Sequence, residues 1–192
     1  MNVPELALAT PRRGNAFSAW AGRCALRVLG WRFSGSIPDV AKAVIIVAPH
    51  TSNWDFFVGV AAMFALGLRV VFLGKHSLFW WPLASIMRWL GGIPVDRSVQ
   101  RGVVDDVVRL FAMRERMILA LSPEGTRGAV TRWKTGFYHI ARSAKVPIVP
   151  VALDYSRRTV RLGQVFQPSG DIDADLQHLG AFFGGVAGRR EK

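Results

Sequence analysis

The run Val44-Ile45-Ile46-Val47 constrains this chain more than any other stretch. It is too short for a helix and apolar on both faces, the pattern of a strand at the centre of a sheet covered on both sides. Such a strand needs helices to cover it, and the chain supplies them in alternation. Helical patterns are expected over 56–66, 82–90, 100–116, 135–145 and 173–183. Strand patterns are expected over 43–49, 69–73, 93–95, 117–121, 148–153 and 160–165. Strand–helix alternation predicts an α/β fold with a largely parallel central sheet flanked by helices. At 192 residues, with no internal repeat or low-complexity segment, one domain is expected.

In sheets of this kind ligands bind beyond the carboxyl ends of the strands. His50 follows the first of these strands, Lys75 the next, Arg97 the third and Glu124 the fourth, so one sheet edge should collect all four. The segment His50-Thr51-Ser52-Asn53-Trp54-Asp55 adds a chemistry. A histidine five residues before an aspartate, at a strand-to-helix transition, can pair a proton acceptor with a carboxylate that orients it and stabilises the imidazolium. The same residues also admit a plainer reading, with Ser52 capping the next helix, Asp55 completing a capping box and His50 an ordinary loop residue. The chain has no Gly-x-Ser-x-Gly elbow and no phosphate-cradling glycine loop, which removes serine hydrolases and nucleotide-dependent enzymes. A base without its own nucleophile activates one that the substrate brings.

Three further segments stand with the His-x4-Asp pair. They are Gly92-Ile93-Pro94-Val95-Asp96-Arg97, Ser122-Pro123-Glu124-Gly125-Thr126-Arg127 and Val146-Pro147-Ile148-Val149-Pro150-Val151. In this order and at these separations, the four blocks resemble the glycerolipid acyltransferase family, of the lysophosphatidate acyltransferase type, over about 43–153. The resemblance implies an O-acyltransferase of phospholipid biosynthesis whose catalytic pair is His50 and Asp55. It implies that Arg97, Glu124, Gly125, Thr126 and Arg127 bind the glycerol phosphate acceptor; Lys75 is a further candidate for the acceptor phosphate. Guanidinium groups match phosphate bidentately, whereas lysine supplies a mobile point charge. The implied donor is an acyl thioester, acyl-CoA or acyl carrier protein, with no cofactor and no metal. The implied acceptor is a lysophospholipid, 1-acylglycerol 3-phosphate foremost, with another lysolipid such as an acylated amino acid as the alternative. The family's third block usually begins with an aromatic residue and ends with serine; here Ser122 and Gly128 stand, which bears on acceptor preference. On this reading the chain divides into a poorly ordered tail over 1–14, an amphipathic helix over 15–34 and an acyltransferase domain over 35–192.

Lysine and arginine total 25 against 13 acidic residues, a formal charge of +12, so the surface should seek anions. Seven tryptophans and twelve phenylalanines beside those cations favour the membrane–water interface. Nucleic acid is the rival anion, but no helix-turn-helix, zinc spacing or aromatic RNA-binding consensus supports it. A basic binding protein without turnover is the non-enzyme alternative. No uncharged apolar run reaches the ~18 residues that a spanning helix needs, and residues 1–13 lack the pattern of a signal peptide. One cysteine, Cys24, excludes an internal disulfide and fits a reducing compartment. Peripheral attachment to the cytoplasmic face of the cell membrane is therefore expected. Its means is the 15–32 helix, where Phe17, Trp20, Cys24, Val28 and Trp31 form one apolar stripe with Arg23, Arg27 and Arg32 alongside. The stripe equally suits a helix packed on the core. The apolar cluster over 78–89 is a second candidate contact.

Overall fold

The structure, a computed structural model, describes residues 2–95, 102–125 and 132–189, apart from the Leu78 side chain. The expected β-branched run lies in β2 (Lys42–Ala48), which sits in the middle of a seven-stranded sheet. The other strands are β1 (Arg32–Ser34), β3 (Val70–Lys75), β4 (Gly92–Val95), β5 (Met117–Leu121), β6 (Ile148–Asp154) and β7 (Thr159–Leu162). Their order is β1-β7-β6-β2-β5-β3-β4, and every neighbouring pair is parallel except the β6–β7 hairpin. The helices are α1 (Ala16–Val28), α2 (Trp54–Leu66), α3 (Leu83–Leu90), α4 (Val103–Met113), α5 (Gly136–Ser143) and α6 (Ile172–Phe182). The fold is thus the single α/β domain with a largely parallel sheet that the alternation predicts. Strand β1 falls inside the 15–34 stretch expected as helix: α1 ends at Val28, Gly30 with φ +74° turns the chain, and Arg32–Ser34 pair with β7 instead.

Alternate residues of β2 serve the two faces of the sheet, as its two-residue period demands. Val44 and Ile46 pack with Val107 and Phe111 of α4, Phe137 and Ile140 of α5 and Leu179 of α6. Ile45 and Val47 turn toward Leu26 of α1 and Val58, Ala62 and Ala65 of α2. Ile45 and Val47 are only half-buried because a cavity opens on their side. None of the described helices is long and apolar enough to cross a membrane.

Helix α1 begins with a capping box, Asn15 Oδ1 accepting from the Ser18 N–H while Ser18 Oγ accepts from the Asn15 N–H. It packs on α2 through Gly22 and Leu26, not through its aromatic stripe. A Cβ on Gly22 would stand 2.5 Å from the Ala65 nitrogen and 2.8 Å from the Ala61 oxygen, so the backbones meet where no side chain fits. The stripe faces outward: Phe17, Trp20 and Val28 are 72%, 60% and 87% exposed. That overturns the core-packing reading for these three residues. Trp31, beyond the end of the helix, is buried with its ring edge on Tyr155.

The stretch before α1, expected as a loose tail, is tied to the body instead. Thr10 is fully buried, and the Ala9 N–H donates to Asp39 Oδ1 at 2.8 Å. The Arg13 guanidinium donates to the carbonyls of Trp89 and Leu90 at 2.6 and 2.9 Å, at the end of α3 where helical carbonyls lack partners. It also lies 4.9 Å from the ring centroids of both Phe64 and Trp89. These partners are distant in sequence, so no local pattern announces them.

Candidate active site

Strand β2 ends at Ala48, and the chain turns through His50 to Ser52 into α2. His50 Nδ1 lies 3.1 Å from Asp55 Oδ2. The same oxygen accepts the backbone N–H groups of Thr51 at 2.7 Å and Ser52 at 2.8 Å. The plainer capping reading and the acid–base reading therefore coexist, since one carboxylate oxygen closes the helix start and faces the imidazole. Ser52 Oγ accepts the Trp54 N–H at 3.2 Å, whereas Asn53, at the N-cap position, caps nothing with its side chain.

The other oxygen, Asp55 Oδ1, accepts the phenolic hydroxyl of Tyr155 at 2.7 Å. Burial alone would raise the pKa of Asp55. The bonds from His50, Tyr155, Ser52 and Thr51 outweigh it and hold the carboxyl below the ordinary carboxylate value. Tyr155 is pushed the other way, first by burial and then by its bond to Asp55. The site thus holds an ionised carboxylate, a neutral phenol and an imidazole whose Nδ1 is engaged, leaving Nε2 for chemistry.

Glu124 arrives from the loop after β5, the strand next to β2. It is buried, and its Oε2 accepts the His50 backbone N–H at 3.1 Å, so it braces the backbone of the histidine loop. Gly125 has φ +65°, and a Cβ there would meet Lys134 Cδ at 2.7 Å, so the lysine stem fills the space that a side chain would need. The Lys134 N–H donates to the Pro123 carbonyl at 2.7 Å, which ties the Glu124 loop to the start of α5. Lys75, exposed at the end of β3, lines the same cavity as His50, Asp55, Gly125 and Lys134. Arg97, Thr126, Arg127 and Gly128 lie outside the described residues. Ser122, standing where an aromatic is usual, has a buried Oγ without a hydrogen-bond partner among the described residues.

The cavity measures about 1750 Å³ and opens between the sheet and α2–α3. Its walls are mostly apolar, among them Ile45, Val47, Met63, Phe72, Met87 and Val151, and its polar lining includes His50, Lys75, Lys134 and Thr135. Such a space suits a long apolar chain whose reacting end lies at the histidine. The site residues that the sequence reading missed are Tyr155 and Lys134. Tyr155 follows β6, which pairs with β2 on the side opposite β5, and nothing local to it indicates that placement. Lys134 carried one usable signal, a cation at the expected start of a helix next to the Glu124 loop.

A parallel sheet with a His–Asp pair at its carboxyl edge and an apolar cavity beside it defines a class of transferase-like sites. The family is fixed by residues 32–154, which match the Acyltransferase family model; the chain belongs to that family. Among curated relatives, 1-acyl-sn-glycerol-3-phosphate acyltransferase of Haemophilus influenzae is 29% identical over 164 residues, covering 80% of this chain and 66% of that protein. The protein of the same name from Escherichia coli is 33% identical over 128 residues, 63% of this chain and 51% of its own length. The chain thus spans between half and two thirds of these relatives. The crystal structure of PlsC, the 1-acyl-sn-glycerophosphate (LPA) acyltransferase of Thermotoga maritima, shares the fold with a TM-score of 0.59 at 17% identity. That match covers 90% of this chain and 80% of that one.

Proposed function

We propose that this protein transfers a fatty acyl group from an acyl thioester, acyl-CoA or acyl carrier protein, to the hydroxyl of a lysophospholipid. 1-Acylglycerol 3-phosphate is the acceptor that the relatives' names favour. The observation that carries the reading is the His50–Asp55 pair at 3.1 Å, with the imidazole on an apolar cavity large enough for an acyl chain. In the proposed step His50 Nε2 takes the proton of the acceptor hydroxyl as that oxygen attacks the thioester carbonyl. The tetrahedral intermediate collapses with cleavage of the C–S bond, and the imidazolium returns its proton to the leaving thiolate. Asp55 holds the imidazole and offsets its charge. Arg97 and Arg127, with Lys75, would bind the acceptor phosphate, while Glu124, Gly125 and Thr126 would shape that subsite; the bond from the His50 N–H to Glu124 supports a place for it beside the base.

Acceptor and product are both lipids, so the site must meet a bilayer. Helices α1, α2 and α3 and the turn before α3 expose Phe17, Trp20, Phe57, Trp80, Trp81, Ile86 and Trp89. The three helices carry Arg23, Arg27 and Arg88 at the surface and one acidic residue, the buried Asp55. Aromatic groups among unopposed arginines suit an anionic lipid surface. Peripheral attachment at the cytoplasmic face, where thioester donors are made, follows as part of the proposal.

The test is thiol release from acyl-CoA, or from acylated carrier protein, by purified protein with lysophosphatidate in mixed micelles. His50→Ala should fold normally and lower the rate by about 10²-fold or more. A folded His50→Ala protein with near-normal turnover would remove the acid–base reading.

A further inference from the structure

We infer that Tyr155 is a positioning residue for the proposed acyl transfer: its hydroxyl locks the Asp55 carboxylate in rotation and draws charge to the oxygen away from His50, setting the strength of the base. The inference rests on the acyltransferase reading but uses a contact that the family's sequence blocks do not contain. Asp55 Oδ2 is shared by His50, Thr51 and Ser52, all from its own loop, whereas Oδ1 has one partner among the described residues, Tyr155 at 2.7 Å. A carboxylate rotates about its last bond unless both oxygens are held. Here the second oxygen is held from another strand.

Tyr155 is itself fixed on three sides. It directly follows β6, whose Ala152 pairs with Ala48 of β2, so the sheet sets its height beside the histidine loop. Its ring meets the buried Trp31 edge-on, with centroids 4.8 Å apart. Its N–H donates to the Ala187 carbonyl at 2.9 Å, from the stretch after α6. The phenol lies behind the carboxylate and is not part of the cavity wall, so it touches neither substrate. Among the described residues, the other titratable or charged groups around the pair are His50, Glu124 on the His50 N–H, and Arg189, which acts on Tyr155 from the C-terminal stretch. A phenol donating to a carboxylate withdraws negative charge from it. Without that bond, more of the charge faces the imidazole.

Tyr155→Phe removes the oxygen and keeps the ring against Trp31, so the variant should fold. Its kcat should fall about tenfold to a hundredfold, the range for one hydrogen bond lost to a charged group. The KM for both donor and acceptor should stay unchanged. The acid limb of kcat/KM should move to higher pH, because a more charged Asp55 favours the protonated imidazole. The 15N resonance of His50 Nδ1 in labelled protein should also move, with or without substrates, and this readout does not require acyl transfer. An unchanged Nδ1 resonance would overturn the inference even where turnover is normal. So would a change in either KM, or a kcat loss without movement of the acid limb, since either indicates general loosening of the site. If wild type and variant both lack turnover while the resonance moves, the acyltransferase reading fails and the coupling stands.

Discussion

Asp55 serves two local structures with one side chain, since its Oδ2 both closes the start of α2 and faces His50. Its carboxyl is held below the ordinary value, as are those of Asp154, bonded to Ser156 and Arg157, and Asp175, bonded to Ser169 and Tyr138. In all three, burial opposes the shift and hydrogen bonds overcome it. A folded-state pKa depressed below the unfolded value of about 3.9 contributes stability above that value, and the contribution is lost as pH falls from there through the lower folded-state pKa. The thermal midpoint should therefore hold from neutral pH to about pH 5 and drop steeply below about pH 4. Asp55→Asn should start lower and fall less steeply, having already lost its share, and should lose most acyl transfer. Equal acid sensitivity in the two proteins, followed by calorimetry, would separate Asp55 from the acid transition. At this scale the pair was legible because His50 and Asp55 are joined by one short loop. Tyr155 was not, because it reaches the pair from another strand; Glu124 was legible as a neighbour of His50 on one sheet edge, but not its bond to the His50 N–H.

Helix α1 shows how far a pattern reaches at the scale of an element. Periodicity located the helix and its apolar stripe as far as Val28, with Trp31 falling beyond the helix end, but it cannot say which side meets a neighbour. Gly22 decides that here, because the absence of a side chain lets α1 approach Ala61 and Ala65 of α2, and Leu26 is buried beside it. Burying a leucine contributes about 1.5–3 kcal/mol. Alanine is the better helix former by roughly 1 kcal/mol, yet at position 22 it would force two backbones apart. Gly22→Ala should thus destabilise the protein by about 1–3 kcal/mol in urea unfolding. Trp20→Ala on the exposed stripe should change stability by no more than about 0.5 kcal/mol. A neutral Gly22→Ala, or a costly Trp20→Ala, would mean that the helix packs by its aromatic face. The remaining expected elements within the described residues lie within a few positions of the observed ones. The short β1 went unseen because three residues carry too little periodicity.

At the scale of the whole molecule, charge and exposed aromatic groups should act together. The single pair of arginine with carboxylate among the described residues is Arg109–Asp106 at 3.7 Å, on the surface of α4, so the cations of α1–α3 have no acidic partner there. Each basic residue near an anionic bilayer is worth roughly 1 kcal/mol and loses that in salt, while buried aromatic rings do not. Binding to phosphatidylglycerol vesicles should fall only in part as salt rises, and should weaken strongly when Trp20, Arg23 and Arg27 are all replaced by alanine. Sedimentation with vesicles measures both. Retention that salt never touches, or no binding at all, would refute an electrostatic and interfacial attachment.

The sequence by itself determined whatever is written within one turn or one element. That covers the central β-branched strand, the alternation that demands a parallel sheet, the His50–Asp55 spacing and an excess of positive charge. The tertiary structure alone decided which strands became neighbours and which faces became surface. Strand order set β5 and β6 on either side of β2, bringing Glu124 to the His50 N–H and Tyr155 to the far oxygen of Asp55. The glycine contact between α1 and α2 turned the aromatic stripe outward. The division has one physical cause: hydrogen-bond register and helix periodicity act between near neighbours along the chain, whereas the order of strands and the choice of a packing face come from long-range burial, which a local pattern permits in more than one arrangement.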